Sequence, residues 1–296
     1  MTPAPSTDPL FLNIIVPAYN EEQNISETIR TISEIQSLIT IPHKLIVVND
    51  NSTDRTKEVV EALRRRYDNL VLINRRGNHG LGRCLDRAYE EVERGVVVAV
   101  MADLADDVND IPRMLDKIRE GYDLVSASRY IPRGSGEHLN PLKHSLSRLL
   151  GKALQVLIGL PTNDATNAYK MYRADVLDKI GILKSDNYTT GLEITVKAYL
   201  QRLKIAEVPT VWKDRSRGQS HFKIVKVAPE YIRWFLWAVW NGWKYRNKVS
   251  TQVQRRFSGS TVQRLEKHED SREPLNREPD NLSSHGTEEY GNKGPE

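Results

Sequence analysis

Val96-Val97-Val98-Ala99-Val100-Met101-Ala102-Asp103-Leu104-Ala105-Asp106-Asp107 is the stretch on which the fold turns. Four valines and an alanine fit a strand buried on both faces, the pattern of a parallel sheet covered by helices. The run passes without glycine or proline into three carboxylates, Asp103, Asp106 and Asp107. Open α/β sheets bind ligands beyond the carboxyl ends of their strands, so acids arriving there are candidate ligand contacts. Hard divalent cations take carboxylate oxygens, and a cation so held can bind a diphosphate. A solvated acidic loop entering the helix at Ile111-Pro112, with Asp110 as N-cap, fits the same residues.

Working outward, apolar runs at residues 11–16, 44–48, 70–73 and 123–127 read as further strands. Between them, 24–38 carries isoleucines at 25, 29, 32 and 35, a helical spacing, and helices are also expected over 55–67, through 93, and over 111–120. Strands alternating with helices predict an α/β fold, a parallel sheet with right-handed crossovers. Polar residues then gather at three strand ends: Tyr19-Asn20-Glu21-Glu22, Asp50-Asn51 and Asp103. In a doubly wound sheet they share one edge, where a nucleotide can bind. Helix capping accounts for Asp54 better than for Asp50. The glycines at 77, 80 and 82 run G-x-x-G-x-G, which is not the dinucleotide fingerprint, and no G-x-x-x-x-G-K-[ST] cradle is present.

Composition bounds the rest. The 296 residues are 39 % apolar and 28 % charged, ordinary for a globular chain with a real core. The first nine residues have no signal-peptide character, and no run reaches the ~18 apolar residues of a membrane span. A single cysteine, Cys84, rules out an intrachain disulfide and a thiol-rich metal site. These features together suggest a cytoplasmic protein.

The motifs Ile14-Ile15-Val16-Pro17-Ala18-Tyr19-Asn20-Glu21-Glu22, Val47-Val48-Asn49-Asp50-Asn51-Ser52-Thr53-Asp54 and Met101-Ala102-Asp103-Leu104 resemble the family-2 glycosyltransferases of GT-A fold. Within them the chain is similar to the polyprenyl-phosphate, or dolichol-phosphate, hexosyltransferases, over about residues 10 to 230. The resemblance implies a Rossmann-like, mostly parallel sheet with flanking helices. It implies that Pro17, Tyr19 and Glu21 line the nucleotide pocket, that Asp50 hydrogen-bonds the base, and that Asp103 ligates Mg²⁺ or Mn²⁺. Met101 replaces the first acid of the family's D-x-D signature, and Asp106 and Asp107 are the nearby acids that could compensate.

On the acceptor side, Ser128-Arg129-Tyr130 matches the family's S-R-Y. Lys143 stands where arginine is common, and Ser147 matches a serine. Residues 162–170, Thr-Asn-Asp-Ala-Thr-Asn-Ala-Tyr-Lys, resemble D-x-T-S-G-F-R, and residues 214–220 match R-x-x-G-x-S, with His221 in place of a lysine. The resemblance implies that Arg129, Lys143, Ser147 and Arg215 hold an acceptor phosphate. Arginine suits that task by its bidentate fork, lysine as a point charge. Glu193 is the candidate base should the acceptor be a hydroxyl.

Residues 210–250 hold nine Lys or Arg against Asp214 and Glu230, and all five tryptophans lie from Trp212 to Trp243. The tryptophans at 234, 237, 240 and 243 spiral around a helix, and with Phe235, Leu236 and Val239 they make it apolar nearly all round. Basic flanks beside aromatic rings suit an anionic membrane surface, so 229–250 reads as an interfacial helix after a catalytic domain at 10–228. Packing onto that domain, a homodimer contact or a partner membrane protein are the alternatives. Residues 251–296 read as a disordered tail.

The expectation is therefore an inverting, metal-dependent transfer of a hexose from a nucleotide diphosphate sugar, of GDP-mannose or UDP-glucose type, to a polyprenyl phosphate. It would take place on the cytosolic face of a membrane, with Asp103, Arg129 and Arg215 as the catalytic set. A hydroxyl acceptor served by Glu193, and a non-catalytic sugar-nucleotide-binding scaffold, are the competing readings. Nucleic-acid binding is disfavoured, because the positive charge sits beside tryptophans and no such module is legible.

Overall fold

A computed structural model describes residues 10–39, 41–92, 94–133, 135–137, 141–185, 189–213 and 227–244. Arg215, the rest of its loop and the tail at 251–296 lie outside them.

The chain begins β1 (Leu12–Ala18), α1 (Ile25–Glu34), β2 (His43–Asp50), α2 (Thr56–Leu63), β3 (Leu70–Arg75), α3 (Leu81–Tyr89) and β4 (Val96–Ala99). It continues α4 (Ile111–Arg119), β5 (Leu124–Ser128), β6 (Ser135–Glu137), α5 (Pro141–Ile158), β7 (Lys170–Arg173) and α6 (Asp175–Ile180). Then come α7 (Thr190–Leu200), β8 (Ile205–Pro209), β9 (Val211–Lys213) and a last helix, α8, over 227–244.

Seven strands form one sheet in the order β3-β2-β1-β4-β7-β5-β8. Every pairing is parallel except those of β7, which runs antiparallel to both neighbours. The apolar alternation of the sequence does not announce β7. Its four residues carry a cation at each end, and its strand state comes from partners far along the chain, Val96–Val98 and Leu124–Ser126. The mostly parallel sheet with flanking helices is otherwise as the sequence predicts.

Side-chain alternation divides the core between the two faces of the sheet. Leu12, Ile14, Val16, Leu45, Val47, Val96 and Val98 face α1, α2 and α4 through Ile29, Val60, Met114 and Ile118. Ile15, Ile46, Val48, Val97 and Ala99 face α3, α6 and α7 through Leu85, Val176 and Ile194. The strand order reverses between β1 and β4, since the chain leaves β1 toward β2 on one side and returns to β4 on the other. Loops leaving the carboxyl ends there diverge and open a crevice.

A third core joins α5 (Leu154, Ile158), α7 (Leu192, Val196) and α8 (Trp234, Ala238). The fit of α8 on α5 is close, for a Cβ added at Gly242 would sit 2.6 Å from Ile158 Cγ2. Thr189 also donates to Glu230 at 2.6 Å, fastening α8 to the start of α7. The tryptophan spiral is thus divided: Trp234 is 5 % exposed, whereas Trp240 and Trp243 are 58 % and 57 % exposed. One face of α8 packs on the domain and the other meets solvent.

Candidate active site

The crevice is bordered by three strand ends, each turned by a left-handed residue: Asn20 (φ 54°) after β1, Asn51 (φ 58°) after β2 and Leu104 (φ 62°) after β4. Asparagine tolerates this region, while leucine adopts it at a cost of about 1–2 kcal/mol. The first two loops are laced together. Asn20 Oδ1 accepts from the Thr53 N–H at 2.8 Å, Asp54 Oδ2 from the Glu22 N–H at 3.1 Å, and Glu22 Oε2 from the Arg55 N–H at 3.0 Å. Glu21 is buried and accepts from the Asn24 side chain at 2.7 Å. Pro17 is buried within β1, and the Tyr19 ring lies against His79 with centroids 4.0 Å apart.

Asp50, 4 % exposed, receives the Arg75 Nε–H at 2.6 Å and the Gly80 N–H at 2.7 Å. His79 Nδ1 lies 2.7 Å from the Asp50 carbonyl. The residue expected to meet the base is therefore the hub that joins β2, β3 and the start of α3. Arg75 and His79 were not singled out by the sequence reading. The charge of Arg75 at the end of the third strand is the signal that could have found the first.

At the end of β4, Asp103 is buried at 7 % exposure, and its Oδ1 accepts from the Ala105 N–H at 3.2 Å. Asp106 accepts from the Met101 N–H at 3.0 Å, and Asp107 caps the following turn through the Asn109 N–H at 3.1 Å. Both acids shape the turn in which Met101 replaced the expected first acid. Burial, aided by the charge of Asp103, pushes the Asp106 carboxyl up to about 7. Among the described residues no group of three or more His, Cys, Asp or Glu gathers around a point. Mg²⁺ commonly takes one or two carboxylates, with waters and substrate phosphates completing its shell. Asp103, a buried carboxylate in the loop that follows β4, fits that donor chemistry.

The side expected to meet an acceptor centres on Arg129, which follows β5. Its Nε donates to Asp164 Oδ2 at 2.7 Å and its Nη2 to Oδ1 at 2.9 Å, a bidentate pair with Asp164 wholly buried. Burial alone would raise the Asp164 carboxyl, but Arg129 and then Lys170 hold it below its ordinary value. Arg129 Nη2 also reaches Ser147 Oγ at 3.5 Å and Thr166 Oγ1 at 3.4 Å, and these two hydroxyls bond each other. The loop carrying Asp164 and Thr166 is fixed by Glu207 of β8, which accepts from Thr162 Oγ1 and the Asn163 N–H, both at 2.6 Å.

From Ser147, Thr166 and Lys143 a trough of about 440 Å³ runs between α5 and α8. Its walls are apolar, with Leu146, Leu150 and Ala153 on one side and Tyr231, Ile232 and Phe235 on the other. Of the residues expected at an acceptor phosphate, Arg129 reaches Ser147, and Ser147 and Lys143 line the trough; Asp164, Thr166 and Tyr231 were not expected there individually. The first two stand in the 162–170 motif, which marks them, whereas no local signal aims Tyr231 at this site.

Glu193 requires a correction. It is 0 % exposed, accepts from the backbone N–H groups of Lys184 (2.8 Å) and Ser185 (2.7 Å), and pairs with Lys197 at 2.6 Å. It holds the segment before α7 and is not among the residues lining the trough, so it is not placed to serve as a base.

Residues 13–181 match the family described as Glycosyl transferase family 2. The chain belongs to this family. Among curated members, the dolichol-phosphate mannosyltransferase of Pyrococcus furiosus is 29 % identical over 226 residues, 75 % of this chain and 62 % of that protein. The polyprenol monophosphomannose synthase of Mycolicibacterium smegmatis is 28 % identical over 70 % of this chain and 79 % of its own length. This family-2 chain thus spans less than two thirds of the first of these relatives. Its sheet superposes on glucosyl-3-phosphoglycerate synthase from Mycobacterium tuberculosis, a structure holding Mn²⁺, UDP and glucosyl-3-phosphoglycerate. The TM-score is 0.60 at 18 % identity, covering 78 % of this chain and 80 % of that one. That likeness establishes the GT-A fold.

Proposed function

We propose that the chain transfers a hexose from a nucleotide diphosphate sugar to a polyprenyl phosphate at the cytosolic face of a membrane. The observation that carries this reading is the trough, whose polar end is lined by Lys143, Ser147 and Thr166, the two hydroxyls being reached by Arg129, and whose walls are apolar. A polyprenyl phosphate has the same two parts, an anionic head and a long hydrocarbon chain. The similarity to the dolichol-phosphate and polyprenol enzymes supports the same acceptor.

In this reading an acceptor phosphate oxygen attacks the anomeric carbon as its bond to the diphosphate breaks, and the configuration inverts. The phosphate is anionic near neutral pH and needs no base. Arg129, Lys143 and Ser147, joined by Arg215, hold it in line. Pro17, Tyr19, Glu21 and Asp50 border the donor. Asp103 would hold Mg²⁺ or Mn²⁺, which when bound supplies positive charge to the leaving diphosphate.

The outer surface suits a membrane. Among the described residues, ten of the twelve exposed large apolar side chains lie on α5 and α8, among them Leu142, Leu149, Leu236, Trp237, Trp240 and Trp243. Lys244 stands 4.7 Å over the Trp240 ring, and Arg148, Lys152 and Arg233 are exposed beside them. No helix of the described residues is long and apolar enough to cross a bilayer. Rings and cations at one surface favour peripheral seating on anionic lipid.

The test is incubation with Mg²⁺ or Mn²⁺, detergent-dispersed polyprenyl phosphate and a panel of radiolabelled nucleotide sugars. The expected outcome is label from one donor passing into the organic phase, and losing that ability with chelator. Intact nucleotide binding without lipid product from any donor would overturn the proposal.

A further inference from the structure

Lys170 is the most deeply buried cation near this site, at 0 % exposure. It opens β7, and its Nζ donates to Ser126 Oγ of β5 at 2.8 Å and to the Asp164 carbonyl at 3.4 Å. Ser126 Oγ in turn donates to that carbonyl at 3.1 Å. The lysine thus reaches the backbone carbonyl of Asp164, the residue whose carboxylate receives Arg129, and it is not among the residues lining the trough. Isolated buried ammonium groups are costly, so one retained here implies compensating charge nearby.

That compensation has a definite layout. Asp164 and Glu207 attract Lys170 and Arg129 repels it. They stand on the 162–166 loop, on β8 and after β5. The other strand beside β7 offers only Val96, Val97, Val98 and Ala99, while α4 and α6 present the apolar Met114, Ile118 and Val176 to the core. With Lys170 protonated, two cations and two carboxylates balance. With Lys170 neutral, the cluster around Asp164 carries an extra negative charge.

We propose that Lys170 is a positioning residue of the acceptor site, acting through Asp164 to keep the Arg129 end of the trough receptive to a phosphate dianion. The proposal rests on the polyprenyl phosphate reading above. Lys170 supplies the charge that offsets Asp164, so that Arg129 can share its guanidinium with an incoming anion. Burial pushes the Lys170 ammonium down to about 8. Its charge is therefore lost on mild alkalinisation, in a range where a phosphate monoester, with its second pKa at about 6, stays dianionic.

The experiment measures KM for polyprenyl phosphate and kcat from pH 7 to 9.5 in the wild type, Lys170→Met and Lys170→Arg, with donor saturating. In the wild type KM should rise above pH ~8 by about tenfold while kcat changes little. Lys170→Met should show the high KM at every pH. Lys170→Arg, permanently charged, should lose the alkaline rise. The wild-type profile stands even if a variant folds poorly, which thermal melting would reveal. A flat wild-type KM, an alkaline rise persisting in folded Lys170→Arg, or a folded Lys170→Met that lowers only kcat would overturn the role. Absence of lipid product at every pH would overturn the acceptor reading itself, and this inference with it.

Discussion

The two sides of the site are built in opposite ways. The donor side consists of loops that leave adjacent parallel strands, and each contributes a short run of neighbouring residues such as Tyr19–Glu22 or Asp103–Asp107. The proposed acceptor side is drawn from Arg129, Ser147, Asp164 and Tyr231, residues far apart in the chain, two of which stand on the packed helices α5 and α8. Polar residues on the donor side mostly bind one another. On the acceptor side one buried ion pair carries the geometry, and an apolar trough extends from it. A site assembled from strand ends tolerates distant change, whereas one assembled between helices depends on their docking.

The sharpest way to break the contrast is at its two charged centres. Asp103→Asn should lower transfer by at least ~100-fold, with the chelator-sensitive part of nucleotide diphosphate affinity lost in calorimetric titration. Arg129→Met should cost a similar factor in lipid product, and about 3–5 kcal/mol in thermal stability, because Asp164 is left buried and unpaired. Adding Asp164→Asn to it should restore much of the stability and none of the activity. Full stability in Arg129→Met alone would mean that the pair does not organise this end of the molecule.

Docking comes next in size. Gly242→Leu would drive a side chain into Ile158, with an overpacking cost of about 1–3 kcal/mol. Use of the lipid acceptor should fall with it while nucleotide binding persists. Equal losses of both would erase the distinction between the two sides.

A pH titration sharpens the donor side. The folded chain keeps Asp106 protonated up to about 7, well above the ordinary carboxylate value of 3.8. Between those limits the fold holds a proton that the unfolded chain has released, so stability falls as pH rises from about 4 to 7 and levels above. In chelator, melting temperatures of Asp106→Asn should lack that slope. Smallest of all, Trp240→Ala should change the melt by no more than about 0.5 kcal/mol. Flotation with anionic vesicles should nonetheless weaken, and unchanged flotation would remove α8 from the membrane surface.

The same contrast explains what could be read from the chain. β1 and β4 are legible because both faces of each are buried, which makes Ile14–Val16 and Val96–Val98 continuous apolar runs. Asp103 and Arg129 are visible as charges directly following such runs. Glu193 is a carboxylate whose partners, backbone N–H groups eight and nine residues earlier, no sequence pattern reveals. Tyr231 and β7 were hidden for a related reason: each acquires its setting only from elements remote in the chain.

β7 has a further bearing, on the order in which the molecule can be made. During synthesis β4 and β5 emerge with facing edges unsatisfied, and they remain so until residues 170–173 arrive between them. Open edges of this kind invite pairing with other chains. A fragment ending before Lys170 should therefore aggregate, although it would contain every donor-side motif. A strand that the sequence does not announce is the one that joins β4 to β5 across the middle of the sheet.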